Sequence, residues 1–280
     1  MQPMANRAKS RILAVAATLA VLGGCGPSAS TPTSTTPSPA PSASAIARAT
    51  PTASAAPSSA TPLPLPQGSE PVDLDPALFA GVAMDHPFWP MAVGSRWVYA
   101  ETDSEGNEQR VEVTVLDETK EMVGIQAQVV HDIVTLDGET VEDTIDWYAQ
   151  DSFGNLWYLG EDTKEYEDGK VVSTEGSWEA GVDGAQAGII LPADPQVGMA
   201  YRQEYYAGQA EDAAEILSLD EQVEVPAGTY DGCLKTRDYT PLDPDIEEQK
   251  WYARGVGPVQ VVQTRGGTSI ENLIEFTPGS

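Results

Sequence analysis

The chain has 280 residues and a formal net charge of −28, with 43 acidic against 15 basic side chains. That excess of acid argues against nucleic acid as a partner and against direct docking on an anionic membrane surface. Two cysteines, Cys25 and Cys233, and two histidines, His86 and His131, offer no cluster with metal-ligand spacing.

Arg7, Lys9 and Arg11 precede an apolar run from Ile12 to Leu22. The run is short of the roughly 20 residues that span a bilayer, and it has the layout of a secretory signal peptide over residues 1–24. Leu22-Gly23-Gly24-Cys25 resembles the bacterial lipobox. The resemblance implies that Cys25 becomes the first mature residue and carries lipid. The protein is then expected at the cell membrane, lipid-anchored on its extracytoplasmic face. Each buried acyl CH₂ contributes about 0.8 kcal/mol, and stable attachment needs more than one chain. Bacterial lipoproteins carry two or three on that cysteine. Gly26 follows it, so no Asp retention signal stands there, and a Gram-positive surface and an outer membrane both stay open.

From Pro27 to Gly68 the sequence is almost only Ser, Thr, Pro and Ala, with Arg48 as its one charged residue. This composition buries too little apolar surface to offset chain entropy, which predicts a disordered tether over residues 25–69. Its prolines make it a semi-extended spacer, reaching roughly 130 Å at about 3.1 Å per residue. All the acids lie at or beyond Glu70 together with eleven of the bases, so residues 70–280 carry −32.

Period-2 patterns dominate residues 70–280: "RVEVTVLD", "TIDWYAQ" and "QVEVPAG" alternate as half-buried strands do. Turn chemistry separates them in "DSEGNE", "LDGE", "DSFGN", "YEDGK", "PAGTY" and "ARGVGP". "AEDAAEILSL" reads as helix or strand. The aromatic segment "DHPFWPM" reads as a plug for one end of a barrel.

The body also repeats itself at an offset of 103 or 104 residues. "PMAVGSRWVY" matches "PQVGMAYRQEY", "VTVLDETKEMVG" matches "LSLDEQVEVPAG", and "EDTIDWYAQDSFGNLWY" matches "IEEQKWYARGVGPVQVV". Three collinear blocks at one offset predict two tandem copies of a β-meander, about residues 87–184 and 189–280. The expected fold is all-β and antiparallel, either one barrel or two half-barrels, with the copies pairing so that no long sheet edge is exposed.

"VEVPAGTYDGCLKTR" followed by "KWYARGVGPVQVV" resembles a motif of uncharacterised secreted bacterial β-proteins, V-P-A-G-T-aromatic and then Y-A-x-G-V-G-x-V. The resemblance implies a set of structural turns and no activity. A broader likeness, without a specific motif, is to half-barrel envelope lipoproteins that hold lipids.

Strand periodicity puts Asp143 on the same face as Trp147, and Glu247 on the same face as Trp251. If the tryptophans line a cavity, so do these carboxylates, and His131-Asp132 matches Arg237-Asp238 in the other copy. Asp143, Trp147, Glu247, Trp251 and His131 are therefore the candidate ligand-binding residues. No catalytic motif is present: G-x-S-x-G, a phosphate-cradling glycine loop and an EF-hand calcium loop are all missing from the sequence. The leading expectation is a non-catalytic binding or interaction domain for a small ligand or an envelope protein, without a cofactor. A secreted hydrolase using a carboxylate pair and a divalent-cation site in the acidic face are the alternatives.

Overall fold

The computed structural model describes residues 64–280. The expected signal peptide, Cys25 and all but the end of the expected tether lie outside the described residues.

The strands are β1 (Arg96–Thr102), β2 (Glu108–Met122), β3 (Ile125–Leu136), β4 (Glu139–Gln150) and β5 (Leu156–Glu167). They are followed by β6 (Lys170–Ser173), β7 (Trp178–Glu179), β8 (Gln186–Leu191), β9 (Ala200–Arg202) and β10 (Glu204–Tyr205). The last five are β11 (Ala213–Val225), β12 (Gly228–Thr240), β13 (Asp243–Ala253), β14 (Gly257–Arg265) and β15 (Ile270–Thr277). A 3₁₀ turn, Pro76–Leu78, precedes them. The ambiguous "AEDAAEILSL" runs mainly into β11, because pairing with β12 along its length outweighs its helical propensity.

All pairings are antiparallel, in the order β10-β8-β5-β4-β3-β2-β1-β15-β14-β13-β12-β11-β9, with β6 and β7 added beside β5. The two ends of that path, β9 and β10, are separated by Gln203 alone. The result is one nearly closed barrel of thirteen strands, not two half-barrels. The last strand of each half pairs with the opening of the other: β15 with β1, and β8 with β10, which continues β9 beyond Gln203. The halves also open alike. Gly94 N–H donates to Val115 O at 2.9 Å and Gly198 N–H to Ile216 O at 2.8 Å. Strand β8 straddles the boundary drawn between the repeats from sequence. It holds the place in its half that β15 holds in the other.

Closure at β8 depends on Gly188. A Cβ there would run into the backbone carbonyl of Gln203, so only glycine lets the closing strand cross. The segment before β1 laces this seam from outside. Arg202 N–H donates to Pro66 O at 2.8 Å, and the Arg202 guanidinium donates to the carbonyls of Gly68 and Glu70, each at 2.8 Å.

The same segment then plugs the barrel. Phe88, Trp89 and Met91 are buried. Trp89 lies between Tyr148 and Tyr252, with centroid distances of 5.6 and 6.1 Å. Those tyrosines occupy matching places in the two halves. The "ARGVG" turn anchors the plug: Gly255 N–H donates to Pro87 O at 2.9 Å, and Val256 O accepts from Trp97 Nε1 at 2.7 Å.

Candidate functional site

The five sequence candidates all lie on the outer face of the barrel. In β4 the residues Tyr148 and, two positions earlier, Asp146 point inward; in β13 Tyr252 and Lys250 do. Alternation therefore turns Asp143, Trp147, Glu247 and Trp251 outward. His131 pairs across the strands with Ile145 and shares that outer face. The residues that line the internal cavity are the adjacent tyrosines, Tyr148 and Tyr252. An apolar-in reading of "TIDWYAQ" selects Ile145, Trp147 and Ala149. The inner set is instead Thr144, Asp146, Tyr148 and Gln150.

The structure still brings some candidates together. His131 Nε2 and Asp143 Oδ1 are 2.8 Å apart, both partly exposed. At the matching place in the second half, Arg237 approaches Glu247 at 3.9 Å and bonds Glu215 at 2.7 Å. Lys120 Nζ sits 3.6 Å from the Trp147 ring centroid and 2.6 Å from Glu179 Oε2, while Lys235 covers Trp251 at 4.6 Å. These are surface ion pairs and cation–π contacts, worth about 1 kcal/mol or less each. Asp143 and Glu247 do not form an acid–base pair. Five strands separate β4 from β13, roughly 29 Å along the sheet at about 4.8 Å per strand, and glycoside cleavage needs carboxyls about 5–9.5 Å apart.

The ionisable groups of interest are inside, where the sequence reading did not place them. Cross-strand register sets buried acid beside buried acid in three pairs: Asp146 with Glu161, Glu101 with Glu271, and Asp238 with Glu248. Glu204 and Asp212 are buried nearby, at 1% and 2% exposure, and Lys250 is the buried lysine among them. Lys250 Nζ is 3.0 Å from Asp238 Oδ2, which also accepts from Gln203 Nε2 at 3.2 Å. Tyr158 donates to Asp146 at 2.7 Å and Trp178 Nε1 to Glu204 Oε2 at 2.7 Å. Glu161 Oε1 and Glu204 Oε1 have no hydrogen-bond partner.

Burial pushes Asp146, Glu161 and Glu204 well above the usual carboxylate range, and neighbouring acids add to the rise for each. Burial lifts Asp212 to about 7 against the pull of Thr240 and Lys250. Lys250 is raised, because the attraction of Asp238, Glu248 and Asp212 outweighs its desolvation. The repeat held a clue to this arrangement: at the 104-residue offset Asp146 in one copy stands where Lys250 stands in the other.

A cavity of about 30 Å³ lies under Trp89, lined by Tyr148, Tyr158 and Tyr252 with Glu204, Asp212 and Lys250. That is room for a water molecule or two. A second, of about 180 Å³, opens at the seam beneath Gln67 and Gly68 and is lined by Tyr201, Arg202, Glu204, Tyr205 and Tyr239. Both are below the roughly 300–1,000 Å³ of small-molecule pockets. Among the described residues no group of three or more His, Cys, Asp or Glu side chains is arranged to hold a metal ion.

No protein-family model matches the chain, and no curated protein does. Two solved structures are similar to it. One is a "putative lipoprotein" from Parabacteroides distasonis, 16% identical, covering 68% of this chain and 98% of its own, with a TM-score of 0.39. The other is a "putative exported protein with YmcC-like fold" from Bacteroides fragilis, 17% identical, covering 68% and 99%, with a TM-score of 0.40. Likenesses this distant carry no argument about what the chain does.

Proposed function

We propose that the protein is a lipid-anchored, extracytoplasmic lipoprotein whose barrel is a non-catalytic interaction domain on a long tether. The observation that carries this reading is the filled interior. Trp89 and the tyrosines on either side of it occupy the space where a carrier barrel would hold its ligand. With the candidate carboxylates outside and on distant strands, recognition falls to the outer surface and loops. An envelope protein fits that surface better than a small apolar ligand. The outer face also bears ion pairs, such as Arg96 with Glu112 and Arg237 with Glu215, that a lipid-facing barrel wall would not carry.

The lipobox supports the anchor, and the Ser/Thr/Pro composition supports the tether. Metabolic labelling with a palmitate analogue tests the anchor. Wild type is expected to take up label and to sediment with membranes, while Cys25→Ser loses both. Label-free wild type would sink the proposal. Native mass spectrometry of the extracted protein tests the filled barrel, with the acylated mass expected and no second lipid retained in the fold.

A further inference from the structure

We propose that the closing strand is a proton-controlled latch: neutral interior carboxyls let it seal the barrel, and their ionisation opens the seam between β8 and β10. The weakest pairing in the ring is here. β10 meets β8 only through Glu204 with Ala187 and Tyr205 with Gln186, and β9 meets β11 over three residues. Glu204 sits on this two-residue strand with its side chain inside the barrel.

Acids face Glu204 from three directions. Asp212 lies on the connection into β11, Glu161 on β5 and Asp146 on β4, with Glu142 adding to the field on Glu161. One cation, Lys250 on β13, faces them, and Asp238 on β12 already holds it at 3.0 Å with Glu248 close by. Tyrosines also line the two cavities, among them Tyr148, Tyr252 and Tyr158, the last engaged as a donor to Asp146, while Arg202 beside the seam cavity donates to the Gly68, Glu70 and Ala187 carbonyls. Each carboxyl that ionises therefore adds a charge facing others with little to neutralise it. Separating β10 from β8 relieves that repulsion at the loss of two residue pairs, the fewest in the ring, and of the Arg202 bond to Ala187 O at 2.9 Å, with the Tyr201 bond to Ile190 O at 3.1 Å beside it.

The cavities supply access. Glu204 lines both the seam cavity, which opens beneath Gln67, and the internal cavity, which reaches Lys250, so its side chain stands between the two. Asp212, lifted to about 7, is placed to titrate near neutrality. Opening would also release the Ala187 carbonyl from the Arg202 guanidinium, whose other nitrogen holds the Gly68 and Glu70 carbonyls, which ties the latch to the segment leading back to the tether.

Amide hydrogen exchange, corrected for intrinsic rates, tests this at pH 5.5 and 8.5. Protection of the Gln186, Ala187 and Tyr205 amides, register partners across the seam, is expected to fall by about tenfold or more at the higher pH, since one unit of pKa difference between closed and open forms changes the equilibrium tenfold. Protection along β2 and β3 is expected to change much less. Glu161→Gln and Asp212→Asn should each restore much of the seam protection at pH 8.5, while the exposed Asp117→Asn should not. Equal protection at the two pH values in wild type would overturn the latch. So would a loss spread evenly over all strands, or neutral variants that respond to pH as wild type does.

Discussion

Asp103 and Asp151 each open a loop of the pattern D-S-x-G-N, and the two loops fold alike. Each aspartate accepts from the backbone N–H two and four residues on and from the Asn side chain at the fourth. Gly106 and Gly154 supply the positive φ that such turns need, 85° and 98°. The difference is what surrounds them. Asp151 is buried and also accepts from Trp157 Nε1 at 2.9 Å, whereas Asp103 is partly exposed. Asp151→Ala should therefore destabilise by about 3 kcal/mol, because the buried indole N–H loses its partner, and Asp103→Ala by about 1 kcal/mol. Urea denaturation of the two variants checks the ordering. Val123 offers the opposite case. It takes φ 45° in the two-residue turn between β2 and β3, a conformation that suits Asn or Gly and strains a β-branched side chain. Val123→Asn is expected to stabilise by about 1 kcal/mol in the same assay.

At the scale of elements, the plug segment is the feature whose removal should cost most. Trp89→Ala is expected to destabilise by about 3–5 kcal/mol, as for a large aromatic removed from a core. Trp89→Phe should cost much less, since the Trp89 indole N–H is buried without a partner and its loss offsets part of the lost area. Near-neutral Trp89→Ala would mean that the plug does not pack between Tyr148 and Tyr252. The plug was legible in "DHPFWPM", and the hairpins in their turn residues. Which face of β4 points inward was not. Alternation defines two sets of residues but not their direction, and a one-residue error exchanges them. Here hydrophobicity misleads, because Trp147 is covered on the outside by Lys120 while Tyr148 fills the barrel. The candidate set thus fell on the outer face, and the buried acids escaped notice because each looks in sequence like one more surface charge.

For the whole molecule, the interior acids fix the direction of pH dependence. Asp146, Glu161, Glu204 and Asp212 have folded-state pKa values raised above their unfolded values. Such groups bind more protons when folded, so their contribution is complete below about pH 4 and is lost as pH rises through the folded values, with Asp212 at about 7. Surface carboxylates held low by partners, such as Glu112 beside Arg96, act in the opposite sense in acid. The melting temperature should accordingly fall between pH 5 and pH 8, and Glu161→Gln should flatten that slope. A rising melting temperature over this range would contradict the buried carboxyl cluster.

The global path was partly legible too. Three repeated blocks pointed to two like halves, and the strand path runs as two meanders, β1 to β5 with β8 and β9 with β11 to β15. That β1 closes on β15 rests on pairings between residues as far apart as Arg96 and Thr277, which no local pattern encodes. The most direct test of that closure is a cross-link between the first strand and the last. Ala100 and Asn272 are register partners on β1 and β15. Antiparallel partners stand about 4.5–5.5 Å apart at Cα, within disulfide reach. Mild oxidation of a chain carrying Ala100→Cys and Asn272→Cys, with Cys233 left in its buried place, should give an intrachain disulfide in the folded monomer, found by peptide mapping. Two free thiols, or disulfide-linked dimers only, would contradict a single barrel closed through β1 and β15.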